Sequence, residues 1–131
     1  MAVRIVRLGT PRHRDEGLRF GTVRRPPRGV PKSQFAAQNW YDVWLPNLSP
    51  SDALFRQRPI AMDGSGWRAF ERRFQAELKK PDQAHLLDAL AALSHVTNFS
   101  VGCYCEYEDR CHRSLLKQLL VDAGATVTSG G

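Results

Sequence analysis

The sequence predicts an α/β fold in a single domain, with a small, largely parallel sheet flanked by helices. Short apolar runs of strand character lie towards both ends of the chain and near its middle. Stretches with helical spacing separate the later runs, an order that favours parallel strands joined by crossovers. The 131 residues leave little room for a second domain, and 42% hydrophobic against 24% charged residues is enough for a core, which excludes wholesale disorder.

Residues 3–8 read as a strand and 18–23 as a weaker one. The segment 26–33, with three prolines and a glycine, reads as a loop. Residues 41–45 read as a short strand with Tyr41, Val43 and Leu45 on one face and Pro46 ending it. Ser49 followed by Pro50 resembles a helix start with a capping hydroxyl. From Gly66 to Lys80, Trp67, Phe70, Phe74 and Leu78 recur every three or four positions, the stripe of an amphipathic helix. Leu86, Leu87, Leu90 and Leu93 mark a second helix, from Pro81-Asp82 to near His95. Residues 99–105 read as a buried strand. A third helix begins near Cys111 and carries Leu115, Leu116, Leu119 and Leu120 inward, with Gly124 placed to end it. Residues 125–128 add an edge strand, and the tail 129–131 is expected to fray.

Charge is distributed unevenly. Within residues 1–32, nine Arg or Lys stand against Asp15 and Glu16, a local net charge of +7, and the remaining 99 residues sum to −1. A basic arm on a near-neutral body suits an anionic partner, either nucleic acid or a phosphorylated small molecule; plain solubility is the competing explanation. No apolar run approaches the ~18 residues that would cross a bilayer, so no membrane partner is expected. Arg4 and Arg7 interrupt the amino end where a secretory signal would be continuously apolar. The expected address is the cytoplasm.

Chemistry concentrates in residues 103–113. Cys103, Cys105 and Cys111 fall within nine residues, unlike the scattered framework of a disulfide-stapled domain. A loop between a strand end and a helix start lies at the carboxyl end of the sheet, where open α/β sheets place ligands. Unpaired N–H groups at the helix start, reinforced by Arg113, would attract an anion. Cys111, beside His112 and Arg113, is a candidate nucleophile with a stabilised thiolate; packing as a small hydrophobe is the alternative. Glu106 is a candidate general acid or base, or an orienting partner for Arg113, whereas Glu108 and Asp109 read as solvated loop acids. Cys105 and Cys111 would form a redox pair if the loop folds back, and Cys103 is expected to be buried in its strand.

Zinc is the weaker reading, because tetrahedral ligation needs sulfurs about 3.8 Å apart and residues two apart in a strand have backbones about 6.6 Å apart. No metal and no cofactor are expected. His13, His85 and His95 read as surface or helix-end residues, and Trp40 and Trp44 as core in preference to base-stacking groups.

Cys105-Glu106 followed by Cys111-His112-Arg113-Ser114-Leu115 resembles the signature of the domain-of-unknown-function 488 family, small bacterial and archaeal proteins. Residues 23–32 and 41–46 resemble its Arg-Pro-rich loop and following segment. With Arg7-Leu8-Gly9, the likeness covers nearly the whole chain. The resemblance implies a compact α/β fold with a site at this segment and no assigned reaction. Two functions from different classes follow. The first is an enzyme or enzyme-like protein that binds a phosphate-bearing or nucleotide-like ligand. There Arg24, Arg25, Arg28 and Arg113 hold the anion, Cys111 or Cys105 supplies thiol chemistry, and Glu106 or His112 moves protons. The second is a noncatalytic nucleic-acid-binding module built on the basic region.

Overall fold

The computed structural model describes residues 1–57, 64–104 and 112–128. Five strands, β1 (Val3–Arg7), β2 (Leu18–Gly21), β3 (Val43–Trp44), β4 (Phe99–Cys103) and β5 (Val127–Thr128), form one sheet in the order β3-β2-β4-β1-β5. Every pairing is parallel, so the chain adopts the expected α/β architecture. The described helices are α1 (Asp52–Arg56), α2 (Gly64–Leu78), α3 (Pro81–Leu93) and α4 (His112–Asp122).

The central strand β4 is buried at all five positions. Covered on both faces, it has no need of a polar side, which explains the unbroken run of apolar and small residues. The register sets Phe20, Val101 and Ile5 in one row across the sheet. That row faces Phe70, Phe74 and Leu78 of α2, Leu87 and Leu90 of α3, and Leu115, Leu116 and Leu120 of α4. Burying each such side chain stabilises the fold by about 1.5–3 kcal/mol. Gly124, at φ 97°, turns the chain out of α4, and the Ala125 N–H closes onto the Leu120 carbonyl at 2.9 Å.

The opposite face is built differently. The next row across the sheet is Arg19, Ser100 and Arg4, and the connections leaving β1 and β2 cover it in place of α-helices. Arg19 is completely buried and Glu16 nearly so. The Arg19 Nε and Nη2 donate to the two Glu16 carboxylate oxygens at 2.6 and 2.9 Å. Its Nη1 donates to the carbonyls of Thr10 (3.0 Å) and Asn39 (2.8 Å). The Ser100 hydroxyl and the His13 N–H also donate to Glu16, at 2.7 and 3.3 Å. Nearby, the Tyr41 ring lies flat on Gly21, where a Cβ would come within 2.2 Å of it.

The basic segment is therefore not a free arm. Residues 1–32 supply two sheet strands; Arg19 is interior, Arg12 pairs with Asp42 at 2.7 Å and Arg25 with Asp52 at 3.2 Å. Two further expectations change. The strand expected over 41–45 shrinks to β3, and Val43 is 40% exposed while Tyr41 is buried. The chain bends at Asp42, whose carboxylate accepts the Arg19 N–H and the Arg12 guanidinium, and this places Tyr41 and Val43 on different sides. The helix expected to start at Ser49 starts after Ser51, whose hydroxyl accepts the Leu54 N–H; the Ser49 hydroxyl donates to the Pro46 carbonyl instead.

Burial alone would raise the Glu16 pKa, but hydrogen bonds from Arg19 and Ser100 and the Arg19 charge take it from 4.5 down to about 2. A depressed carboxyl contributes stability that is present above pH 4.5 and is lost as pH falls through about 2, here about 3 kcal/mol. We expect urea denaturation to show that loss between pH 4.5 and 2, and Glu16→Gln to cost about 3–5 kcal/mol at pH 7 by leaving Arg19 buried without its counter-charge. An unchanged midpoint in the variant would show that the pair does not hold this face.

Candidate active site

In this sheet β1 connects across β4 to β2, and β4 connects across β1 to β5, so neighbouring strands send their chains in opposite directions. The crevice expected at such a switch lies at the carboxyl ends of β1 and β4. Just beyond the end of β2, the Thr22 N–H and hydroxyl both donate to the Gly102 carbonyl of β4 at 2.9 Å. These paired bonds fix the start of the segment that carries Arg24, Arg25 and Arg28.

Two further bonds tie that segment to the residues flanking the cysteine-rich loop. Tyr104, the residue after β4, donates its hydroxyl to the Arg25 carbonyl at 2.8 Å. His112, the first residue of α4, donates its Nε2–H to the Thr22 carbonyl at 2.7 Å. The segment after β2 is thus joined at Thr22 and Arg25 to the residues that flank 105–111. Thr22 and Tyr104 had no sequence signal of their own, since a threonine after a strand and a tyrosine near its end are unremarkable residue choices.

A carbonyl can only accept, so the His112 proton sits on Nε2 and Nδ1 is the ring's accepting nitrogen. The ring stands edge-on to Phe74 with centroids 5.6 Å apart. Burial lowers the His112 pKa and the Arg113 charge lowers it further; the Thr22 bond opposes them only in part, leaving it at about 4. At neutral pH this imidazole is uncharged, and its Nδ1 is a hydrogen-bond acceptor.

The arginines divide. Arg113 is buried in the first turn of α4. Arg24, expected to hold an anion, donates Nε to the Pro50 carbonyl at 2.9 Å and Nη2 to those of Pro46 and Ser49 at 3.2 and 3.4 Å. The turn after β3 directs these three carbonyls towards the Arg24 guanidinium. Arg24 also lines a cavity of about 230 Å³ together with Glu77, Lys80 and Gln83. Arg25 is well exposed in its pair with Asp52, and exposed Arg28 makes no hydrogen bond or ion pair with the described residues. Arg7, not selected from the sequence, is also exposed at the carboxyl end of β1, where the register sets it beside Cys103.

Cys103 is buried as expected, and it is also disulfide-bonded, a pairing absent from the sequence reading. Cys105, Glu106 and Cys111 lie outside the described residues, as do Glu108 and Asp109. Among the described residues no three His, Cys, Asp or Glu side chains cluster as metal ligands would. His95, exposed just beyond α3 as expected of a helix-end residue, bonds the Gly124 carbonyl at 2.8 Å and the Thr126 hydroxyl at 3.1 Å. Trp40 is partly buried, edge-on to Tyr104 at 5.9 Å, whereas Trp44 is 44% exposed, contrary to the expectation that it packs in the core. Tyr41 is buried with a hydroxyl that has no partner among the described residues, and burial raises its pKa. Burial, with the nearby Tyr41, likewise holds the Tyr104 phenol protonated.

The fold is that of a parallel α/β protein. The family model described as DUF488-N3a, the active DUF488-N3 subclade, matches residues 3–124, and the chain belongs to that family. No curated protein and no solved structure matches the chain. None of the described helices is long and apolar enough to cross a membrane.

Because the folded His112 pKa lies below its ordinary 6.5, stability is full above that value and declines as pH falls towards about 4. We expect the His112 ring resonances to stay unshifted from pH 8 to 5.5 in NMR titration. A midpoint near 6.5 would mean that burial beside Arg113 does not keep the ring neutral.

Proposed function

We propose that this protein is an enzyme that binds a phosphate-bearing ligand at the carboxyl edge of its sheet, between residues 24–28 and the start of α4. The observation that supports this reading is the pair of bonds Tyr104 to Arg25 and His112 to Thr22, which join the cationic segment to the residues that flank 105–111. Arg25 and Arg28 present planar guanidinium forks suited to phosphate oxygens, and the prolines between them limit how much freedom is lost when they engage. Arg113 adds charge at the start of α4, and Arg24 shapes the wall. For the chemistry we assign Cys111 as nucleophile or redox centre, Glu106 as the proton-transfer group and His112 as a positioning residue; Cys103 is disulfide-bonded, so Cys105 and Cys111 are not both free thiols. The family description, an active subclade, agrees with an enzyme.

The alternative, a noncatalytic nucleic-acid module, needs a run of free cations along an arm. Arg12, Arg19 and Arg24 are engaged within the chain, which favours a localised site. Calorimetric titration of inorganic phosphate separates the two. We expect saturable binding that Arg28→Ala weakens about tenfold or more, with a shallow dependence on salt. Arg28 is exposed, so its loss leaves the fold intact. Absence of saturable binding, or equal binding by the variant, removes the anion site. A steep loss of affinity for long oligonucleotides with ionic strength, and none for phosphate to show, would support the module instead.

A further inference from the structure

We propose that Trp44 is a stacking platform for a nucleobase, so that the anion bound at this edge is the phosphate of a nucleotide. This rests on the phosphate-binding reading above and narrows its ligand class. Among the described residues Trp44 is the only aromatic side chain that remains exposed, at 44%. The other two indoles are occupied: Trp67 stacks on Phe70 at 5.4 Å, and Trp40 stands edge-on to Tyr104.

Trp44 is exposed without being loose. Its indole N–H donates to the Val23 carbonyl at 2.7 Å, and its backbone pairs with Gly21 at the end of β2. One edge of the ring is thereby held against the protein while much of its surface meets solvent. An indole recruited to the core would bury that surface, and an idle surface indole would have no fixed orientation. A ring held by its polar edge is preorganised for contact with another flat group, because the entropy of fixing it is already lost.

Its neighbours select the kind of flat group. The carbonyl that holds the indole belongs to Val23, and Arg24, Arg25 and Arg28 follow it directly in the chain. Five residues span at most about 17 Å, so the exposed Arg28 guanidinium stays within reach of a ligand lying on the ring. A π-face beside unspent cationic charge matches a base joined to phosphate, and the face discriminates little between bases because all of them stack. A purely aliphatic phosphate would leave the indole unused, and an apolar peptide would leave the arginines unmatched. The base and phosphate can come from a free nucleotide or from a single-stranded nucleic acid.

The test is a set of titrations followed by tryptophan fluorescence and calorimetry on the full chain, with inorganic phosphate, a nucleoside monophosphate and a ten-nucleotide single strand as probes. We expect the monophosphate to bind more tightly than phosphate, with quenching of the indole signal. Trp44→Leu should weaken the monophosphate about 5- to 150-fold, the range of one base–aromatic stack, and leave phosphate binding unchanged. Trp44→Phe, which keeps a π-face, should restore most of the affinity and guards against a folding defect in the leucine variant. Similar affinity for monophosphate and single strand would identify a free nucleotide as the source. A large gain for the strand, steeply reduced by salt, would identify nucleic acid. Phosphate and monophosphate binding equally, both indifferent to Trp44→Leu, would overturn the base platform and leave the anion site standing. Binding of none of the probes would overturn both. Concentration-dependent self-association abolished by Trp44→Leu, with no effect of that change on monophosphate affinity, would reassign the exposed edge to contact with a second copy and likewise overturn the proposal.

Discussion

The buried pair between Arg19 and Glu16 is the interaction on which the second face of the sheet depends. One face has α-helices to cover it; among the described residues the other is covered by the connections after β1 and β2, whose regular structure is one short 3-10 turn, Lys32–Gln34. Taking two charges out of water costs several kcal/mol for each, and only excellent geometry with further hydrogen bonds offsets that. Here the guanidinium meets both carboxylate oxygens and reaches two backbone carbonyls, while Ser100 and His13 complete the carboxylate. The result specifies position more than it adds stability. It locates the connection after β1 through Thr10 and the connection after β2 through Asn39, and Asn39 immediately precedes Trp40 and Tyr41.

The carboxyl edge inherits its shape from that clamp and from bonds made to backbone rather than to side chains. Thr22, Tyr104, His112 and Trp44 all hold carbonyls in the segment that follows β2 or in β4 beside it. Each carbonyl stays where it is whatever side chain its residue carries, so the arginines of this segment are free to be chosen for a ligand. Arg24 is the exception, since its own guanidinium is spent on the turn after β3. The neutral His112 fits the same scheme: a charged ring next to Arg113 would repel it at the very point where α4 is joined to β2.

The helices were legible because an amphipathic helix repeats its apolar residues over several turns, as Phe70, Phe74 and Leu78 do. β4 was legible for a related reason, its unbroken apolar run. The sequence pointed to Arg24–Lys32 and Cys105–Arg113 as the stretches that carry the chemistry, and the fold joins the segment after β2 to Tyr104 and His112, the residues that flank 105–111. What the sequence hid are features fixed by single long-range contacts. Arg19 looked like one more surface cation; its spacing of three from Glu16 across Gly17 was the available clue, but such spacing is common in loops. Tyr41 and Val43 alternated as strand residues do until a bend at Asp42 separated them. Trp44 looked like core because tryptophan usually is, and only the edge position of β3 leaves it half in solvent.

The position of β4 also governs the order in which the molecule can assemble. β1 and β2 are close in sequence yet never touch, because β4 lies between them and is made about 80 residues after β2. At about 5–20 residues per second, the amino-terminal strands leave the ribosome roughly 4–16 s before the strand they need. During that interval β1 has neither of its neighbours and β2 has only the two-residue β3 to pair with. The first third of the chain is thus a waiting segment, and its high density of like charge keeps it dissolved until the central strand arrives.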